Sequence, residues 1–126
     1  MVAGLDVHTS VNEDAVVVAA VGEVDIATAS LLDEALAAVL AAPAGAKLLC
    51  CDLSQVTFLD STGLGTLARV HALADAQGFV FCLTGASARV EKVLRLTAMD
   101  GVLRSYESVE EARRLRGDDP DPLPVA

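Results

Sequence analysis

This chain of 126 residues is 53% hydrophobic and 3% aromatic, carries a formal net charge of −9, and has the length of one compact domain. The acidic balance and the few aromatic side chains argue against a nucleic-acid partner, because nucleic acids are bound through Lys and Arg contacts and aromatic stacking. No apolar run approaches the roughly 18 residues that span a bilayer, so no membrane partner is expected either.

The first part of the chain predicts two strands and a helix. Val16 to Val21 is an apolar run that suits a buried strand, and the alternating residues Leu5 to His8 are typical of its hairpin partner. From Leu31 to Leu40 apolar residues recur at helical spacing. Pro43 and Gly45 are expected to stop this helix.

The middle of the chain predicts a strand followed by a helix. Lys47 to Leu53 is a second buried-strand candidate, with a turn predicted at Ser54-Gln55 and a short apolar pair at Phe58-Leu59. The segment from Ser61 to Gln77 returns to helical spacing. Gly78 lies where a helix C-cap glycine is expected.

The last part predicts a strand, a helix, a short strand and a final helix. Phe79 to Thr84 is apolar, Ser87 opens a helix that Gly101 ends, and the short edge strand spans 102–106. Ser108 with Glu111 forms a capping box for a helix that runs through Arg116.

The predicted order of elements is therefore β-β-α-β-α-β-α-β-α. Strands that alternate with helices indicate an α/β fold with a mixed, mostly parallel sheet of about five strands and about four helices. We expect one domain over residues 1–116. Residues 117–126, which are rich in Asp and Pro, are predicted to be a disordered tail.

The start of the chain and its cysteines indicate a cytoplasmic protein. The first six residues contain neither the basic segment nor the apolar run of a secretory signal. Cys50, Cys51 and Cys82 lie in apolar segments without the spacing of a zinc or redox site, so we interpret them as buried core residues. No metal site and no cofactor are predicted.

The segment Asp60-Ser61-Thr62-Gly63-Leu64-Gly65 joins a strand region to a helix. Ser61 should therefore lie at or near the helix N-cap, where a hydroxyl that accepts a backbone hydrogen bond is reason enough for a serine. Gly63 and Gly65 would each cost a helix about 1 kcal/mol relative to alanine. Their presence indicates that a phosphate, a partner or a neighbouring element of the fold comes close to this backbone.

The segment Gly22-Glu23-Val24-Asp25 follows the buried strand at 16–21. It is typical of a turn in which Asp25 or Thr28 caps the next helix. If its strand lies beside the strand that precedes Ser61, the two loops meet at one edge of the sheet. Residues 1–68 contain nine acidic side chains and one basic one, so a partner of this surface should be basic.

A serine hydrolase is the enzyme alternative, because Asp60, Ser61 and His71 are all present. His71 lies ten residues along the same predicted helix, about 15 Å from Ser61, and nothing places His8 near the serine. The glycines do not match a phosphate-binding P-loop. We therefore expect no catalysis by this chain.

Two motifs resemble the bacterial anti-sigma factor antagonists of the STAS domain family. Gly22-Glu23-Val24-Asp25 is similar to the Gly-Glu-x-Asp loop of that family, and residues 58–65 are similar to its phosphorylation motif. The resemblance runs from about Leu5 to Leu115. It implies the STAS fold and a binding protein without enzymatic activity.

The resemblance also implies a cycle of partner exchange. The unphosphorylated antagonist binds an anti-sigma factor serine kinase and so releases the sigma factor, the kinase phosphorylates Ser61, and a PP2C-type phosphatase restores it. Thr62 matches a second hydroxyl position that is less generally modified. The residues implied in partner binding are Gly22, Glu23, Asp25, Asp60, Ser61, Thr62, Gly63, Leu64 and Gly65.

The chain departs from the family pattern at two places. Ile26 follows Asp25 where a polar residue is common, and Thr97-Ala98-Met99 replaces a frequent Thr-Gly-Leu. STAS domains also occur in anion transporters and in stress-sensing scaffolds. The alternative hypothesis is therefore a non-catalytic scaffold or sensor subunit, in which Ser61 only caps a helix.

Overall fold

One sheet of five strands, in the order β1-β2-β3-β4-β5, organises the chain. The computed structural model describes residues 4–42 and 47–118. The strands and helices are β1 Leu5–Asn12, β2 Ala15–Val24, α1 Ala29–Ala41, β3 Leu48–Leu59, α2 Ser61–Ala76, β4 Val80–Thr84, α3 Ala88–Leu96, β5 Arg104–Tyr106 and α4 Val109–Asp118. A 3-10 turn, Met99–Gly101, lies between α3 and β5. The predicted element order and fold class are confirmed.

The sheet is mixed because only its first pair of strands is a hairpin. β1 pairs with β2 in antiparallel fashion, and each of the later neighbouring pairs is parallel. Glu13 turns the hairpin with a φ of 57°. A parallel neighbour requires a crossover, which the alternating helical segments supply.

β3 is one strand of 12 residues, so the turn predicted at Ser54-Gln55 is wrong. Gln55 pairs with Val21 and Leu59 pairs with Val24, and the register shifts along this stretch absorb the irregular sequence. The strand continues because β2 supplies a partner for its backbone groups well beyond the end of β4. A local turn propensity is overridden by these tertiary hydrogen bonds.

The buried side chains form two clusters, one on each face of the sheet. The larger contains the buried faces of α1, α2 and α3, and the smaller lies around Ala112 of α4. Cys51 belongs to the first cluster, whereas Cys50 and Cys82 lie in the second with their Sγ atoms 3.5 Å apart. All three thiols are buried.

Burial makes the Cys51 thiol hard to ionise. Desolvation, with a smaller repulsion from Asp52, raises the pKa of Cys51 from 9.0 to about 12. As the pH rises, the thiol therefore ionises in the unfolded chain before it ionises in the folded one. The stability that the folded protein gains from the neutral Cys51 thiol is complete below pH 9.0 and is lost as the pH rises toward about 12. Between about pH 8 and about pH 10, Cys51→Ala should lose about 1.4 kcal/mol less unfolding free energy than the wild type. Urea denaturation at both pH values measures this difference, and equal losses would contradict it.

The third and fourth helices differ from the predicted bounds. Ala98, with a φ of 61°, ends α3 before the 3-10 turn, so Gly101 is not the residue that stops the helix. The Ser108 Oγ accepts a hydrogen bond of 3.0 Å from the Glu111 N–H, as a capping box requires. α4 continues to Asp118, two residues past the predicted end.

Two sequence predictions fall partly or wholly outside the described residues. Pro43 and Gly45 lie there, although α1 ends at Ala41 as their position indicates. Residues 119–126 of the predicted tail also lie there. Within the described parts of the chain, no helix is both long and apolar enough to cross a membrane.

Candidate functional site

The two loops singled out in the sequence lie side by side. β2 and β3 are parallel neighbours, and their last residues, Val24 and Leu59, are paired in register. The Asp60 N–H donates a hydrogen bond of 3.2 Å to the Val24 carbonyl oxygen. The structure thus joins the segment at 22–25 to the segment at 60–65 at the carboxyl edge of the sheet.

Asp60, and not Ser61, is the N-cap of α2. Asp60 has an extended backbone conformation, and its Oδ1 accepts a hydrogen bond of 3.0 Å from the Gly63 N–H. Ser61 is the first helical residue, so the expectation that its hydroxyl caps the helix is wrong. Aspartate and serine are both good N-cap residues. Asp60 takes the N-cap position because its backbone N–H is still hydrogen-bonded to β2, so the helix begins at the next residue.

The Ser61 side chain is therefore not needed by the helix. Ser61 and Thr62 are both exposed. Within residues 4–42 and 47–118 no hydrogen bond involves the Ser61 hydroxyl. This oxygen is accessible to another protein and carries no structural bond that a modification would break.

The two glycines of the motif have different surroundings. A Cβ on Gly63 would lie 2.6 Å from Leu59 Cδ1 and 2.7 Å from Val24 Cγ1, so this glycine lets α2 pack on the ends of β2 and β3. A Cβ on Gly65 would meet nothing within 4 Å, and Gly65 is exposed. From the sequence, a phosphate, a partner or a neighbouring element of the fold could each be the reason for the two glycines. A neighbouring element explains Gly63 but not Gly65.

Leu64 is a core residue at 7% exposure, and Gly63 is buried with it. Within residues 61–65, the surface open to another molecule is therefore formed by Ser61, Thr62 and Gly65, which are exposed. A direct role of Gly63 and Leu64 in partner binding stays a prediction. Their evident contribution is to hold α2 on the sheet.

Asp25 organises the loop between β2 and α1. Its Oδ1 accepts hydrogen bonds from the backbone N–H groups of Ala27, at 2.9 Å, and Thr28, at 3.1 Å. The Thr28 hydroxyl donates to the Glu23 carbonyl oxygen at 2.7 Å and accepts from the Asp25 N–H at 3.0 Å. The turn predicted for this segment is present, with Thr28 at the N-cap position.

Sequence reasoning did not predict the bond from Thr28 to Glu23, which closes the loop on itself. The spacing of three residues between Asp25 and Thr28 was the available signal, because such pairs exchange backbone and side-chain bonds in turns. Gly22 precedes this loop with a φ of +123°, and a Cβ there would lie 2.1 Å from the Gly4 carbonyl oxygen. This position therefore requires glycine.

The residues considered for catalysis are placed apart. His8 pairs with Ala19 in the middle of β1, whereas Ser61 follows the end of β3. His71 is partly buried and lies on α2, ten residues beyond Ser61. The described residues contain no group of three or more His, Cys, Asp or Glu side chains that could hold a metal ion.

The capping role of Asp60 leads to a stability prediction. Asp60→Ala should lower the unfolding free energy by about 1 kcal/mol, because the Gly63 N–H loses its acceptor. Asp60→Asn should stay close to the wild type, since asparagine is an equally good N-cap. Urea denaturation of both variants measures the difference, and equal stabilities would show that the bond contributes nothing.

Comparison with known proteins gives consistent matches. A family model described as STAS domain matches residues 6–112. The anti-sigma-B factor antagonist of Bacillus subtilis (strain 168) is 31% identical over 99 residues, which cover 79% of this chain and 88% of that protein. Relatives from Thermotoga neapolitana and Thermotoga maritima are 33% identical over 60 residues, 48% of this chain and 53% of theirs. The match thus spans about half the length of these two relatives.

Solved structures share the fold. The crystal structure of an anti-sigma factor antagonist from Mycobacterium paratuberculosis has a TM-score of 0.79 and 27% identity, covering 89% of this chain and 93% of that one. The Bacillus cell fate determinant SpoIIAA in its phosphorylated form has a TM-score of 0.65 and 17% identity, covering 90% and 100%. At this identity the second likeness is one of fold alone.

Proposed function

Because this chain belongs to the STAS domain family, we propose that it is an anti-sigma factor antagonist whose partner binding is switched by phosphorylation of Ser61. The unphosphorylated form binds an anti-sigma factor serine kinase, and the kinase then releases its sigma factor. The same kinase transfers the terminal phosphate of ATP to Ser61, which ends the association. A PP2C-type phosphatase returns the protein to its binding form.

The observation that carries this proposal is the exposed Ser61 hydroxyl at the first position of α2. Asp60 already caps the helix, so phosphorylation removes no bond that the fold uses. A phosphate at this position also lies at the N-terminus of α2, where the helix dipole favours negative charge. The domain is therefore expected to stay folded in both forms.

Charge and hydration explain why the phosphorylated form leaves its partner. The phosphate adds about −1.5 to −2 charges and three oxygens to a surface that fitted a hydroxyl. Bringing these charges into contact removes part of their hydration at a cost of several kcal/mol.

Labelling with an anti-sigma factor serine kinase tests this assignment. Each such kinase of the source organism, purified, is incubated with the protein and ATP, and the site is mapped by mass spectrometry. We expect phosphate on Ser61 of the wild type and of Thr62→Ala, and none on Ser61→Ala. Unchanged labelling of Ser61→Ala would disprove the site. If ATP has no effect on partner affinity, the scaffold alternative is favoured instead.

A further inference from the structure

The Ile26 side chain is exposed to solvent. It is 82% exposed, the highest value among the large hydrophobic side chains in the described residues. Burying an isoleucine contributes about 1.5–3 kcal/mol, so the folded domain leaves this contribution unused. The side chain belongs to a loop that could have been polar without any change in its hydrogen bonds.

The loop that carries Ile26 is pre-ordered. On its N-terminal side the Asp25 carboxylate is bonded to Ala27 and Thr28, and on its C-terminal side the Ala29 N–H donates 2.8 Å to the Asp25 carbonyl oxygen. These bonds close around Ile26 itself. A partner that buries this side chain therefore loses little conformational entropy of the loop.

Ile26 and Ser61 lie at the same edge of the sheet, on segments that are hydrogen-bonded to each other. Val24, two residues before it, accepts the hydrogen bond from the Asp60 N–H, and Ser61 follows Asp60 directly. Gly65 lies one helical turn beyond Ser61 and, at a spacing of four residues, on the same side of α2. Because Gly65 is exposed with open space at its Cβ position, it leaves a part of that helix face without a side chain.

The charges around the surface formed by Ile26, Ser61 and Gly65 indicate the charge that a partner should carry. Glu23, Asp25 and Asp60 are all partly exposed beside it. The nearest cation along α2, Arg69, is paired with Asp33 of α1. The surface is therefore apolar at Ile26, flat at Gly65 and negative between them, and its complement is an apolar pocket with Lys or Arg side chains at its rim.

We propose that Ile26 is the apolar anchor, and Gly65 the point of closest backbone approach, in the docking of the anti-sigma factor kinase around Ser61. This inference rests on the proposed function and adds Ile26 to the residues that the family resemblance already implies in partner binding, Gly65 among them. The kinase presents the complementary surface, an apolar pocket with a basic rim. Ser61 then provides the switch, and Ile26 and Gly65 provide the contact.

Two pairs of variants test the surface. Ile26→Ser is compared with Val11→Ser, since Val11 is 72% exposed on the hairpin at the opposite edge of the sheet. Gly65→Gln is compared with Gly101→Gln, since Gly101 has equally open space at its Cβ position. The probe is the purified kinase that labels the wild type, and affinities are measured by calorimetric titration with thermal unfolding as the check on folding.

Ile26→Ser and Gly65→Gln should each weaken binding by about tenfold or more, and the two controls by less than about twofold. Wild-type affinity in Ile26→Ser would overturn the inference while leaving labelling of Ser61, and with it the proposed function, intact. Equal weakening in the controls would overturn it as well. If no kinase binds or labels the wild type, the proposed function itself fails.

Discussion

Gly63→Ala is expected to lower the unfolding free energy by about 1–3 kcal/mol, even though alanine is favoured over glycine in a helix by about 1 kcal/mol. The new Cβ would stand 2.7 Å from the Cγ1 of Val24, a fully buried β-branched side chain that a packed core leaves little room to move. It would also stand 3.2 Å from the Val24 carbonyl oxygen. The first turn of α2 must therefore move away from the sheet.

Gly65→Ala is the matched control, because it makes the same change two residues further along the same helix. With nothing within 4 Å of its Cβ position, it should be neutral or stabilise the domain by up to about 1 kcal/mol. Urea denaturation of both variants measures the contrast. Equal effects of the two substitutions would show that α2 does not pack on β2 and β3 as described.

Phosphorylation of Ser61 is expected to weaken kinase binding by about a hundredfold or more, which corresponds to about 2.7 kcal/mol. The reason is the cost of dehydrating a dianion next to Asp60, at an edge of the sheet that also carries Asp25, in a contact that fits an unmodified hydroxyl. Thermal unfolding should change little, since the Ser61 hydroxyl makes no hydrogen bond within the described residues and the N-terminus of α2 favours negative charge. Calorimetric titration of the two forms measures the affinity ratio.

Ser61→Glu should show a smaller loss, because one carboxylate carries less charge and fewer acceptor oxygens than a phosphate. Ser10→Glu is the control for net charge, since Ser10 is exposed on β1, where it pairs with Val17 far from the site. Kinase affinity should be unchanged in that variant. A similar loss in both would indicate general repulsion and would contradict a switch that depends on position.

The candidate site was predictable in part because its signals are local. Asp60, Ser61 and the two glycines stand at a strand-to-helix junction that the apolar periodicity on both sides reveals. Which of two neighbouring cap residues is used depends on where β3 ends. β3 ends at Leu59 because its partner strand β2, which is distant in sequence, ends at the paired residue Val24.

The sequence by itself determined the order of the elements, the single motif that carries Ser61 and the resemblance to a family, because periodicity and turn chemistry act between residues a few positions apart. Only the tertiary structure decided that β2 lies beside β3, that Gly63 serves packing while Gly65 faces solvent, and that Asp60 takes over the capping of α2. Each of these depends on contacts between residues far apart along the chain. Because Asp60 caps the helix, the Ser61 hydroxyl makes no hydrogen bond within the described residues.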